Sequence, residues 1–143
     1  ARVTTTGVQG DAKRDRTHHG GPERALCLFA QERIRALQAE GHPIQPGSIG
    51  ENVTIEGLDW THVTPGVCLQ LGGEVVAEVT RYTAPCFNIR ASFRDRDETR
   101  ASQKRHPGDS RVYARVLREG SIATGDTVRL LTGAEAGGLL AHS

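Results

Sequence analysis

The stretch Arg81-Tyr82-Thr83-Ala84-Pro85-Cys86-Phe87-Asn88-Ile89-Arg90 sets one cysteine directly after a proline and between two guanidinium groups. The residues up to Ala84 read as a strand, and a proline, which has no amide hydrogen to give to a ladder, ends it. A thiol at that point is carried by a rigid element on one side and released from the sheet on the other. Thiolate is the nucleophilic form of cysteine, and Arg81 or Arg90 would favour it if the fold brings either close. The same residues also admit a plain reading, because free cysteine is among the most buried residue types and packs as a small hydrophobe.

Two loops offer partners for such a thiol. Residues 11–24 (Asp-Ala-Lys-Arg-Asp-Arg-Thr-His-His-Gly-Gly-Pro-Glu-Arg) carry charge without apolar period, the mark of a surface loop. Arg16, His19 and Arg24 could receive an anionic group there, arginine by forked hydrogen bonds, although a solvated charged loop has the same composition. His18 and His19 do not make a zinc site, since neighbouring residues of an extended chain point to opposite faces. The second loop, Pro46-Gly47-Ser48-Ile49-Gly50-Glu51-Asn52, is framed by glycines that let backbone amides approach a ligand. Its spacing is not that of a phosphate-cradling P-loop, and Asn52 is either a ligand contact or a loop cap.

The composition excludes several classes. Eighteen basic and seventeen acidic side chains in 143 residues leave a net charge of +1, which argues against a nucleic-acid partner. Cys27, Cys68 and Cys86 are an odd number with no close pair, so neither a disulfide framework nor a Cys-x-x-Cys metal knuckle is expected, and a reducing cytoplasm fits. No apolar run approaches the ~20 residues of a membrane span, and no signal sequence opens the chain.

The elements that must position these residues are short. Residues 2–6, 53–55, 67–72, 74–81, 111–118 and 127–131 alternate or are β-branched, and Gly72-Gly73 separates two of them as a hairpin turn would. The apolar run Ala25 to Ala30 reads as a strand buried on both faces, with Cys27 in the core. From Gln31 the period changes: Ile34 and Leu37 share a face, and Gly41 with Pro43 closes a covering helix. Residues 87–93 fit a short helix, residues 94–108 a charged excursion on the surface, and residues 132–143 a flexible C-terminal tail. The chain is therefore expected to be mainly β, one domain over residues 1–131, in a closed or nearly closed β-barrel with one or two covering helices.

Several blocks stand in one order: Gly10-Asp11, His19-Gly20-Gly21-Pro22-Glu23-Arg24-Ala25-Leu26, residues 46–57, Pro85-Cys86, Tyr113-Ala114-Arg115-Val116-Leu117, and Gly120 with Gly125-Asp126. In this the sequence resembles the molybdenum cofactor sulfurase C-terminal (MOSC) domain family over nearly its whole length. The Gly-Glu-Asn-Val-Thr block followed some thirty residues later by Pro-Cys is the more specific part of the match.

The resemblance implies a β-barrel that handles the sulfur of molybdopterin or metal–sulfur centres, with Cys86 at the position of a cysteine proposed to carry that sulfur as a persulfide. Arg16, His19, Arg24, Asn52 and Arg81 are the pocket candidates by loop position and residue type. It also implies a molybdenum cofactor, a small anionic ligand, and a sulfur-donor protein or molybdoenzyme as partner. No aminotransferase-like region with a Schiff-base lysine is found in the sequence, so pyridoxal phosphate is expected only through a partner. Two alternatives accompany this reading: a molybdenum-cofactor-dependent reductase of N-hydroxylated compounds, and a passive oxyanion-binding module in which Cys86 merely lines the pocket.

Overall fold

The fold is that of a computed structural model, which describes residues 1–9, 22–84 and 87–141. Among the described residues nine short strands form two sheets. β1 (Arg2–Thr4), β2 (Gly7–Val8) and β8 (Gly120–Ser121) make a small antiparallel sheet in the order β2-β1-β8. The larger sheet contains β3 (Leu26–Ala30), β4 (Val53–Ile55), β5 (Cys68–Leu71), β6 (Val75–Tyr82), β7 (Val112–Arg118) and β9 (Val128–Leu131), in the order β4-β3-β7-β6-β5-β9.

The ladder does not return on itself. β4 and β9 stand at opposite edges, so of the closed or nearly closed barrel expected from the strand spacing the six strands form a curled half-barrel, not a fully closed one. Register irregularities at Val76/Ala77 and Val79/Arg81 in the β6–β7 pair supply local bend and twist.

β3 is buried at every residue, as its unbroken apolar run requires, and it is paired on both edges. It lies antiparallel to β7 but parallel to β4 (Leu28↔Val53, Phe29↔Thr54). A parallel pair needs a crossover, and here the crossover contains α1 (Gln31–Ala39), whose Ile34 and Leu37 are fully buried. Gly41, at φ +97°, ends that helix: its amide bonds the Gln38 carbonyl and the next amide, of His42, bonds that of Leu37, a Schellman closure. Phe29 meets Trp60 edge to face at 5.8 Å between ring centroids, which locks β3 to the turn at Trp60–His62.

Two segments go beyond their sequence reading. The charged excursion of residues 94–108 is stapled to the fold, which composition alone did not indicate: Arg100 bonds both Glu40 and Asp109, Arg33 reaches Asp109 at 2.7 Å, and the Arg94 amide donates to His42 Nδ1. Gly133–Ala141, read as part of a flexible tail, forms helix α2. Thr132 and Glu135 cap it reciprocally, the Glu135 amide giving to Thr132 Oγ1 (3.1 Å) and the Thr132 amide to Glu135 Oε1 (2.9 Å). Ala136 then packs with Leu139 and Leu140 on Val76 and Leu131, in a second small core.

Ending the chain at Thr132 would uncover Val76 and Leu131. We expect a loss of about 2 kcal/mol, read as a lower urea midpoint, whereas an unchanged midpoint would mean that α2 adds nothing to the fold.

Candidate functional site

The site is built at the end of the large sheet where β6 finishes and β7 begins. Cys27 is opposite Tyr113, and Tyr113 is opposite Arg81, so these three side chains share one face of the sheet. Alternation puts Arg111 and Thr83 on the same face, just beyond the ladder, where the Thr83 amide donates to the Arg111 carbonyl at 3.1 Å.

Arg24 and Arg81 converge on Tyr113, with their guanidinium carbons 5.4 Å and 5.8 Å from the ring centroid. The turn at Pro22–Arg24 is held against the sheet by Thr80 Oγ1, which donates to the Glu23 carbonyl at 2.7 Å, and by Arg115, which bonds the Glu23 carboxylate at 3.1 Å. Two cations within reach of one aromatic face suit an anionic ligand carrying a flat ring system.

Asn52 lies one strand away and turns inward. Its Oδ1 accepts from the Cys27 amide at 2.9 Å, and its own amide donates to the Cys27 carbonyl at 3.0 Å. These two bonds continue the β3–β4 pairing by one residue, so Asn52 caps its loop. Arg16, His19 and Cys86 lie outside the described residues.

Beneath the face is a polar cluster that the sequence reading did not single out. Arg111 is 2% exposed; its Nη1 bonds the Ile49 carbonyl at 2.5 Å and its Nη2 the Ala84 carbonyl at 3.2 Å. Gly47 and Gly50, both at φ +85°, turn the 46–52 loop over this guanidinium. Glu51, 5% exposed, supplies the opposing charge and takes a long bond from Thr54 Oγ1 to Oε2 at 3.4 Å. Fully buried Ser110 reaches the carbonyls of Arg111 (2.8 Å) and Thr83 (3.3 Å). Glu51 Oε1, Thr83 Oγ1 and Arg111 Nε are buried without a hydrogen-bond partner among the described residues.

Burial decides the protonation of this cluster. It pushes the Cys27 thiol up to about 12, against the pull of Arg111 and with a smaller push from Glu51. It also raises the Glu51 carboxyl above its ordinary value, although the backbone amides of its own loop and Arg111 oppose it. Cys68 is raised as well, by partial burial and then by Glu78. Both described cysteines are therefore held as thiols near neutral pH.

Arg111 and Glu51 escaped attention for opposite reasons. Arg111 opens an alternating strand pattern and so reads as an outward residue, and Glu51 sits in a turn-rich loop where acids are ordinarily solvated. The one available signal was for Glu51, a charge inside the 46–57 block that carries the family resemblance; Arg111 lies outside those blocks.

The metal and cofactor tests give a divided answer. Among the described residues no group of three His, Cys, Asp or Glu side chains could hold a metal ion. The Arg24–Tyr113–Arg81 arrangement does fit the anionic and planar parts of a molybdopterin.

The model of the MOSC domain family matches residues 15–129 of this chain. The chain belongs to the MOSC domain family. It is 30% identical over 130 residues to the uncharacterized protein YflK of Bacillus subtilis, covering 90% of this chain and 58% of that protein. It is 32% identical over 133 residues to a protein of Gibberella moniliformis named "Reductase", covering 90% of this chain and 23% of that one. The crystal structure of YiiM from Geobacillus stearothermophilus superposes with a TM-score of 0.62 at 27% identity, over 78% of this chain and 56% of that one. YiiM from Escherichia coli superposes at 0.66 and 24% identity, a likeness of fold alone. The chain thus spans less than two thirds of the length of these relatives. No helix among the described residues is long and apolar enough to cross a membrane.

The raised Glu51 carboxyl gives a signed prediction. A folded value above the usual 4.5 means that the folded state binds this proton more tightly than the unfolded chain does. Its contribution to stability is full below the unfolded value and is lost as pH rises through the folded one. Glu51→Gln should remove that loss, so that the unfolding free energies of variant and wild type diverge upward from about pH 4.5 in favour of the variant. Urea titrations across acid to neutral pH measure this, and parallel curves would contradict it.

Proposed function

We propose that this MOSC-domain protein carries sulfane sulfur on Cys86 and delivers it to a molybdenum cofactor or a related metal–sulfur centre, whose anionic group is held by Arg24 and Arg81 with Arg16 and His19. The observation that carries this reading is the convergence of Arg24 and Arg81 on one ring, on the strand whose chain runs from Arg81 through Ala84 into Pro85-Cys86. The environments of the other two cysteines support it: a thiol with its pKa near 12 and one raised by burial and a carboxylate are poor nucleophiles, which leaves the chemistry to Cys86. Family membership supplies the link to molybdenum cofactor proteins in general.

In the loading step the Cys86 thiolate attacks the outer sulfur of a donor persulfide. A sulfur–sulfur bond forms at Cys86, the donor's sulfur–sulfur bond breaks, and the donor cysteine leaves as a thiolate, so no external oxidant or reductant is needed. A bound molybdenum cofactor would supply the metal that takes the sulfur; this chain's part is to grip the anion, orient it and hold the loaded thiol. Reduction of N-hydroxylated compounds is the second reading, favoured by the similarity to a protein named "Reductase". Stoichiometric molybdopterin in the purified protein together with reductase turnover would select it.

Incubation with a cysteine desulfurase and L-cysteine should add the mass of one sulfur atom at Cys86, reversed by dithiothreitol. Cys86→Ser should abolish the increment and Cys27→Ser leave it. Sulfur found on Cys27 or Cys68 in place of Cys86 would contradict the assignment.

A further inference from the structure

We infer that Arg111 is a positioning residue for the sulfur-carrying thiol: its buried guanidinium, balanced by Glu51, ties the 46–52 loop to Ala84 at the exit of β6, the strand from which the sequence runs on to Cys86. The inference rests on the reading of Cys86 as the sulfur carrier.

The geometry is specific to arginine. One planar fork bonds the carbonyls of Ile49 and Ala84, which are 35 positions apart in sequence, and each carbonyl belongs to a segment without a ladder partner at that point. Ala84 is the last described residue before Cys86, two positions on. The strand end is braced a second time by the backbone, where the Thr83 amide meets the Arg111 carbonyl and Ser110 Oγ reaches the Thr83 carbonyl. A buried cation is a costly way to hold two loops, and carbonyl dipoles with one carboxyl near it are what make it tolerable. An apolar residue of the same size would fill the space and leave both carbonyls unbonded. Lysine would keep the charge but present a single point on a flexible stem, enough for one carbonyl and not for both.

Arg111→Lys is the direct test, read with the desulfurase and L-cysteine as sulfur source. The variant should melt near the wild type and alkylate normally at Cys68, while sulfur loading at Cys86 falls about tenfold, as misplacing a reacting group by a fraction of an ångström does. The fall should lie in the limiting rate at saturating donor rather than in the half-saturating donor concentration, a split that a general loss of folded protein would not produce. Should Arg111→Lys fail to fold, the double variant Arg111→Met/Glu51→Gln, which leaves no buried charge unpaired, takes its place with the same expectation. Loading at the wild-type rate in whichever variant folds overturns the inference. A wild type that takes up no sulfur at Cys86 overturns the sulfur reading and this inference with it, whereas normal wild-type loading with an unaffected variant overturns this inference alone.

Discussion

A guanidinium with almost none of its surface in water dictates the arrangement of one whole end of this fold. The guanidinium of Arg111 offers five N–H donors and no acceptor, so once out of water it has to be met by acceptors of the chain. Burying such an ion without partners costs several kcal/mol even after relaxation. The surrounding chain answers with carbonyls: Ile49 and Ala84 face it, the 46–52 loop makes two left-handed glycine turns above it, and Glu51 is drawn below the surface as its counter-charge. The carboxyl is then itself desolvated, which is why its proton is held more tightly than usual. Remove the cation and the reason for each of these features goes with it.

The opposite flank uses charge differently. Arg100 sits between Glu40 and Asp109, and Arg33 shares Asp109, so α1 and residues 94–109 are linked through one carboxylate. These groups are partly exposed, apart from Asp109, and pairs of that kind contribute little singly. Their effect is geometric: with the Arg94 amide on His42 and Ser92 Oγ on Ser48, they decide which of many solvated paths a polar segment takes. The brace at Arg111 and the staple at Asp109 lie two residues apart in sequence, so the approach to β7 carries both.

What the sequence made legible was whatever depended on local pattern. Unbroken apolarity located β3, the shift to helical period at Gln31 located α1, and the glycine pair between Leu71 and Glu74 located the β5–β6 hairpin. The Pro-Glu-Arg turn and the position of Arg81 were enough to name both cations that meet at Tyr113, though not to say that they meet. The expectation of a closed or nearly closed barrel holds in part, as a curled half-barrel, because strand spacing carries no information about whether the edge strands β4 and β9 find each other. Helix α2 was missed for want of an apolar stripe in a Gly- and Ala-rich stretch. Its signal was a capping box, Thr132-Gly133-Ala134-Glu135, which marks a helix start without any periodicity. Arg111 was beyond reach in principle: strand alternation tells which side a residue faces, not whether a loop from sixty residues away will cover it.

Cys27 shows what a neighbouring cation can and cannot do. Arg111 acts on Cys27 in the direction that would favour thiolate, and still the thiol is pushed up to about 12, because desolvation outweighs the attraction. Positive charge alone therefore does not make a reactive cysteine in this fold; access to solvent has to come with it. At the end of β6 the setting differs: of the cations gathered at Tyr113, Arg81 is exposed and Arg24 half-buried. The same guanidinium group thus stands at two depths in this fold, bonded to carbonyls where water is excluded and set against an aromatic ring where water is admitted.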